Sequence, residues 1–144
     1  MTKQALIFGA TGAVGRALLD LCLNGDDYQQ VTVVARRAAP FAHEKLSWIV
    51  CGFDALDGLA LPAELEGGDS YCCLGTTIKA AGSKEAFRQV DYDFVVEAAK
   101  LARQAGVKNF SLVTAIGANA TSNNFYSQVK GEVEAALIAE HFSC

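Results

Sequence analysis

The feature that most constrains this chain is a glycine-rich turn between an apolar run and a helical pattern. The apolar run occupies residues 4–8, and the turn follows directly as Gly9-Ala10-Thr11-Gly12-Ala13-Val14-Gly15. A short apolar run ended by glycine is typical of a buried strand in a parallel sheet. After the turn, apolar residues recur at helical spacing until Asn24-Gly25 provides a stop. The members of that predicted inner face are Val14, Ala17, Leu18, Leu21 and Cys22.

The rest of the chain repeats this alternation of strands and helices. Further strands are predicted at 31–35, 48–51, 70–74 and 109–114, with helices at 84–104 and 125–140. Ser83 is placed to cap the long helix and Gly106 to end it. The predicted inner face of that helix comprises Phe87, Val90, Phe94, Val95, Ala98 and Leu101. Such alternation implies right-handed crossovers, so we predict an α/β fold: one Rossmann-type domain over residues 1–144, with a doubly wound parallel sheet of about five strands.

Composition and charge exclude several function classes. The chain has 144 residues, 51% of them hydrophobic and 19% charged, which fits one globular domain. Its net charge is −4 and its basic residues are scattered, so we expect no nucleic-acid partner. No apolar stretch approaches the roughly 20 residues that span a bilayer, and no targeting pattern is visible. We therefore expect a soluble, cytoplasmic protein without membrane contact.

The cysteines and histidines do not form a metal-binding pattern. The five cysteines contain no CxxC pair, and an odd number without a framework favours reduced thiols. Cys72 and Cys73 lie in an apolar run, where small buried hydrophobic residues are the more common interpretation. His43 and His141 lie far apart in the sequence, and we expect them at the surface.

The position of the glycine turn favours phosphate binding. A helix N-terminus presents unpaired N–H groups and a partial positive charge. Gly9 would permit the tight turn, Gly12 the approach of a phosphate, and Gly15 close packing of helix on sheet. Glycine turns also simply connect strands to helices, but this one lies at the first strand–helix junction of a βαβ unit. The spacing GxxGxxG, with the Thr11 hydroxyl in the loop, therefore predicts dinucleotide binding.

The end of the second strand favours one dinucleotide over the other. An acidic residue there would accept a hydrogen bond from the ribose 2′-hydroxyl of NAD, whereas arginine accommodates the 2′-phosphate of NADP. This chain places Arg36-Arg37 at that point. Guanidinium groups match phosphate geometry, although loop arginines can also be simply solvated. We predict NADP, with NADPH favoured over NADH.

A tyrosine and a lysine supply candidate acid–base chemistry. Tyr126 and Lys130 are four residues apart on a predicted helix, so their side chains share a face. Tyrosine alone, with an unperturbed pKa of about 10, is a poor proton carrier at neutral pH, but a neighbouring ammonium favours the phenolate form. Thr114 ends the fifth strand, where its hydroxyl could hold a substrate carbonyl. The alternative is a lysine that merely extends along the surface.

Three segments together give the chain a family resemblance. They are Cys72-Cys73-Leu74-Gly75-Thr76-Thr77, Val90-Asp91-Tyr92-Asp93 and Tyr126-Ser127-Gln128-Val129-Lys130-Gly131-Glu132-Val133-Glu134. On these the chain resembles an atypical short-chain dehydrogenase/reductase, and more narrowly the Tat-interacting-protein-like oxidoreductases and their bacterial relatives. The resemblance covers nearly the whole chain and implies an NADPH-binding fold.

The resemblance also implies roles for individual residues. The pyrophosphate would be surrounded by Gly9, Thr11, Gly12, Ala13, Val14 and Gly15, and the 2′-phosphate by Arg36 and Arg37. The inner ribose would be lined by Leu74, Gly75 and Thr76. Tyr126 would donate or accept the proton, Lys130 would hold the nicotinamide ribose and tune Tyr126, and Thr114 would take the usual serine role. Asp91 and Asp93 are interpreted instead as a solvated helix face.

Three departures from the family pattern concern the site. Gly52, with Asp54 two residues on, stands where relatives often carry an acidic residue that meets adenine. Thr114-Ala115 stands where relatives tend to show two serines. The sequence ends at Cys144, where a sixth strand and a substrate-binding segment would be expected to begin. It is therefore interpreted as either a fragment or a naturally short form, whose sheet edge could recruit a second copy or a protein partner.

Three functions remain open from the sequence. The first is an NADPH-dependent oxidoreductase acting on a small carbonyl substrate or alcohol. The second is a non-catalytic NADPH-binding module that regulates or contacts another protein. The third is epimerase-like sugar chemistry, because extended relatives share the tyrosine–lysine pair.

Overall fold

The computed structural model describes residues 3–52, 55–75, 78–113 and 124–139. Its strands are β1 (Lys3–Phe8), β2 (Tyr28–Ala35), β3 (Leu46–Val50), β4 (Asp69–Cys72) and β5 (Asn109–Leu112). Its α-helices are α1 (Ala13–Asn24), α2 (Ile78–Ala81), α3 (Lys84–Arg88), α4 (Phe94–Gln104) and α5 (Phe125–Ala139). A 3-10 turn (Ala63–Leu65) precedes β4, and a π-helical turn (Gln89–Asp93) joins α3 to α4.

The five described strands form one parallel sheet in the order β3-β2-β1-β4-β5. The chain winds outward from β1 in one direction and then, after β3, returns to the other side of β1. Ligands of open α/β sheets bind at the carboxyl ends of strands where the winding reverses. The predicted Rossmann-type fold is confirmed, and β1 and β4 flank the point of reversal.

Each face of the sheet carries its own apolar cluster. Because side chains alternate along a strand, Leu6 and Phe8 belong to one cluster, while Ala5 and Ile7 belong to the other. The first cluster is completed by α4 and α5, and the second by α1. The apolar run of β1 is thus buried on both sides, as a central parallel strand requires.

The predicted inner face of α1 is wrong in part. Val14 is 56% exposed and Leu21 73% exposed, whereas the buried residues are Gly15, Leu19, Cys22 and Leu23. The packing of Gly15 against the backbone of the preceding turn rotates the buried stripe away from Val14. The helix does end at Asn24, but Gly25 has a φ of −90° and needs no left-handed conformation.

The long predicted helix is confirmed at both ends but not in its middle. Ser83 Oγ accepts a hydrogen bond from the N–H of Ala86 at 3.1 Å, and Gly106 has a φ of +82° just after α4. Between α3 and α4 the π-helical turn inserts a wider turn that periodicity did not indicate. Within the described part of the chain, no helix is long and apolar enough to cross a bilayer.

Candidate functional site

The glycine turn packs tightly within itself and against the backbone that follows β4. Gly9 has a φ of +80°, and a β-carbon there would lie 2.6 Å from the carbonyl carbon of Cys73. A β-carbon on Gly15 would lie 2.0 Å from the carbonyl oxygen of Gly9. Both positions therefore require glycine, for the reasons that the sequence predicted.

The space above Gly12 is open. A β-carbon on Gly12 would meet no described heavy atom within 4 Å. In the described part of the chain no side chain caps α1 at Gly12, and the first turn of this helix carries no acidic residue. Thr11, Gly12, Ala13 and Val14 are all exposed. The arrangement fits a phosphate group, because unpaired N–H groups and the positive end of the helix dipole face free space.

The segment after β4 lies between this turn and α5. The N–H of Cys73 donates to the carbonyl oxygen of Phe8 at 2.8 Å, which extends the pairing of β4 with β1. Leu74 is buried, and a β-carbon on Gly75 would lie 3.8 Å from Lys130 Nζ. The structure thus places Leu74 beside the glycine turn and Gly75 beside Lys130.

Tyr126 and Lys130 share one face of α5 in the structure. Lys130 Nζ lies 5.5 Å from the centroid of the Tyr126 ring. The Tyr126 ring also packs on Phe87 of α3, with 5.3 Å between ring centroids. Lys130 is only 6% exposed, so the alternative of a lysine extended along the surface is wrong.

Asp91 is the functional candidate that the sequence interpretation missed. It was interpreted as part of a solvated helix face, but it is 0% exposed and its Oδ1 accepts a hydrogen bond from Lys130 Nζ. The π-helical turn carries Asp91 into the interior, beside Gly75. Asp93, two residues on, is exposed as expected. A signal was present, because Asp91 lies four residues after Phe87 and four before Val95, both of which are buried.

Arg36 and Arg37 follow β2 at the same edge of the sheet as the glycine turn. Both are exposed. The carbonyl oxygen of Arg37 accepts a hydrogen bond from Trp48 Nε1 at 2.8 Å, which fixes the backbone where β2 ends. Since β1 and β2 are parallel neighbours, Arg36 emerges beside the turn that follows Phe8.

Several predicted residues lie outside the described part of the chain. Thr114 and Thr76 are among them, as are Asp54, Ala115, His141 and Cys144. Among the described residues, no group of three or more potential ligands is arranged to hold a metal ion.

Cys72, the last residue of β4, packs in the core, and Cys73 follows it. Cys72 is fully buried, and burial raises the pKa of its thiol to about 12. Cys73 is half-buried, and burial raises the pKa of this thiol as well. Neither side chain is in a disulfide.

Fold and site together define a class of protein. A parallel sheet with a helix N-terminus presented over an open glycine turn at its reversal point is a dinucleotide-binding Rossmann-type domain. A family model described as NAD(P)H-binding matches residues 9–143. The chain belongs to this NAD(P)H-binding family.

Curated relatives narrow the resemblance. The chain is 41% identical over 139 residues to Protein HTATIP2 of Rattus norvegicus, covering 94% of this chain and 56% of that protein. It is 38% identical over 144 residues to Protein FMP52-1, mitochondrial, of Scheffersomyces stipitis, covering 96% of this chain and 62% of that protein. The chain therefore spans a little over half the length of these relatives. The resemblance to Tat-interacting-protein-like oxidoreductases is confirmed.

Solved structures agree on the fold. The enzyme WbmG of Bordetella bronchiseptica in complex with NAD matches with a TM-score of 0.70 and 19% identity, covering 99% of this chain and 51% of that one. At this identity the likeness supports the Rossmann-type architecture alone.

Proposed function

We propose that this chain is the nucleotide-binding part of an NADP(H)-dependent oxidoreductase that interconverts a carbonyl compound and an alcohol. The observation that carries the proposal is that Gly9 of the glycine turn lies against the backbone of Leu74, that Gly75 lies beside Lys130 Nζ, and that Lys130 lies beside the Tyr126 ring. A nucleotide held on the turn would extend along this series, with its reactive end next to the tyrosine.

Each residue would then have a definite task. The open N–H groups at Gly12 would bind the pyrophosphate, and Lys130 would hold the ribose next to the nicotinamide. When bound, a reduced nicotinamide supplies a hydride to the carbonyl carbon, while the carbonyl oxygen takes up a proton and becomes a hydroxyl. The Tyr126 hydroxyl would donate that proton, and Thr114 would hold the carbonyl oxygen.

The preference for NADP(H) rests on Arg36 and Arg37. Both residues are exposed at the end of β2, where a 2′-phosphate would be placed, and no acidic residue stands there to select a 2′-hydroxyl. Titration calorimetry with NADPH and NADH tests this directly. We expect NADPH to bind at least about tenfold more tightly, since charge-assisted hydrogen bonds to the phosphate are lost with NADH.

The catalytic part of the proposal is tested with a panel of aldehydes and ketones, following NADPH consumption. Tyr126→Phe should lower turnover by about a hundredfold or more while NADPH binding is kept. Tyr92→Phe is the matched control, since Tyr92 is a half-buried tyrosine whose ring lies under Arg88, and should change turnover little. Full turnover in Tyr126→Phe would exclude the proposed role.

A non-catalytic NADPH-binding module is the second candidate. Ala115 favours it, because this side chain cannot supply the hydroxyl that relatives tend to carry beside the strand-end position. Tight NADPH binding without turnover of any carbonyl in the panel would support this function over catalysis.

A further inference from the structure

The ion pair between Asp91 and Lys130 is buried beside the proposed proton donor. The exposed fractions of the two side chains are 0% and 7%. The ammonium of Lys130 lies 5.5 Å from the centre of the Tyr126 ring, and the carboxylate is in direct contact with that ammonium. The phenol of Tyr126 therefore faces a neutral pair of charges rather than a single cation.

This pairing changes what the lysine can do to the tyrosine. An unpaired ammonium at such a distance, in a partly buried site, would favour the phenolate strongly. A carboxylate in hydrogen-bond contact with the ammonium opposes its field at the tyrosine, because the two opposite charges then act on the ring together. Lys130 is thereby held in place without imposing its full charge on Tyr126.

We propose that Asp91 is a positioning residue that fixes Lys130 at the end of β4 and keeps Tyr126 in its proton-donating form. The inference rests on the proposed function in assigning Tyr126 as the proton donor. A phenol that keeps its proton suits reduction of a carbonyl, whereas oxidation of an alcohol needs the phenolate as a base.

Among the described residues, the other charged or ionisable groups on the elements around the site leave Asp91 as the main opposite charge beside Lys130. They are Lys84, Glu85 and Arg88 on α3, Glu132 on α5 and the thiol of Cys72 on β4. Arg88 and Glu132 form an ion pair with each other, and Lys84 lies over the Phe125 ring. Glu85 is exposed and screened by solvent, and burial keeps the Cys72 thiol protonated.

The test follows ionisation of Tyr126 by NMR in cofactor-free protein labelled at the tyrosine Cζ, with Tyr126→Phe used to assign the resonance. In Asp91→Asn the pH of half-ionisation should fall by about one pH unit or more, since the lysine charge is no longer compensated. Asp93→Asn, an exposed carboxylate on the same turn, is the matched control and should move it by less than about 0.3 unit. Asp91→Glu, which restores the charge, should return it to the wild-type value.

Loss of one partner of a buried pair can also unfold a protein. Asp91→Ser leaves room for water beside the ammonium and serves as the second neutral variant, with the same expected fall. A value in either folded variant that matches Asp93→Asn would overturn the inference. The measurement needs neither cofactor nor substrate, so a shift without any turnover would sustain the role of Asp91 while refuting the proposed catalysis. Turnover without a shift in the pH of half-ionisation would refute the role of Asp91 while sustaining the proposed catalysis.

Discussion

The Tyr28 hydroxyl donates a hydrogen bond to Asp69 Oδ2 at 2.7 Å, reaching from the start of β2 to the start of β4. Since β1 lies between these two strands, the bond bridges the central strand at the edge opposite the nucleotide site. Asn109 of β5 donates to the other carboxylate oxygen of Asp69 at 2.8 Å. One carboxylate thus ties together the starts of three strands.

The Asp69 carboxylate should make the fold sensitive to acid. Burial alone would raise its pKa, but the hydrogen bonds from Asn109 and Tyr28 and the nearby charge of Lys3 together lower it. A lowered folded-state pKa means that the stabilisation is present above the unfolded-state value, about 4, and is lost as pH falls through the folded-state value. We expect the free energy of unfolding, measured by urea denaturation, to decline below about pH 4.

Asp69→Asn should remove that acid dependence and cost about 1 to 3 kcal/mol at neutral pH, because hydrogen bonds to a charged acceptor are lost. Asp57→Asn, at an exposed aspartate, is the control and should keep the wild-type pH profile. If the free energy of unfolding of Asp69→Asn still declined below about pH 4 as in the wild type, other carboxylates would dominate the acid dependence.

Two alanine substitutions in the glycine turn should separate stability from binding. Gly15→Ala forces a methyl group into the Gly9 carbonyl, so we expect a loss of about 1 to 3 kcal/mol in unfolding free energy. Gly12→Ala meets open space, so its stability should change by only a few tenths of a kcal/mol. Its affinity for NADPH should nevertheless fall by about tenfold or more, because the methyl group occupies the path of the phosphate. Thermal denaturation and calorimetry on the same samples distinguish the two effects.

The arginines after β2 should act on NADPH and not on NADH. Arg36→Ala should weaken NADPH binding by about tenfold, the value of one charge-assisted contact to phosphate, and leave NADH affinity within about twofold. Arg37→Ala is measured for comparison. The backbone at Arg37 is held through its carbonyl by Trp48, so it should keep its position when the side chain is removed. Equal weakening of both nucleotides would assign these side chains to general electrostatic attraction.

The thiol of Cys72 should resist alkylation in the native protein. Burial raises its pKa to about 12, so almost none of the reactive thiolate is present near pH 8, and the sulfur is inaccessible. We expect iodoacetamide to modify Cys51, which is partly exposed, well before Cys72. Mass spectrometry of peptides before and after denaturation gives the comparison, and rapid native modification of Cys72 would contradict its burial.

Sequence periodicity was sufficient to predict the sheet but not to predict which side chains are buried within the site. The apolar runs at 4–8 and 31–35 predicted buried parallel strands, because a central strand covered on both faces leaves little room for polar side chains. The requirement for glycine at Gly9 and Gly15 was also predictable, since the turn has one geometry in such units. These predictions depend only on residues that are close to one another in the sequence.

Local spacing places Asp91 on the same side as Phe87 and Val95, but its burial also depends on an ion pair that no local pattern contains. Charged residues are almost never buried unless they are paired, and the partner, Lys130, lies 39 residues away on another helix. The lysine had been matched with Tyr126 on its own helix, which left the aspartate without a reason to be inside. The π-helical turn that carries Asp91 inward also has no distinctive composition.

The division of the apolar residues into two clusters has an evolutionary consequence. The helix that presents the glycine turn packs on one face of the sheet, while the helices that carry Asp91, Tyr126 and Lys130 pack on the other. Substitutions that reshape the second face for a new substrate need not disturb the first. A lineage built on this domain can therefore diversify its second face while inheriting the glycine turn unchanged.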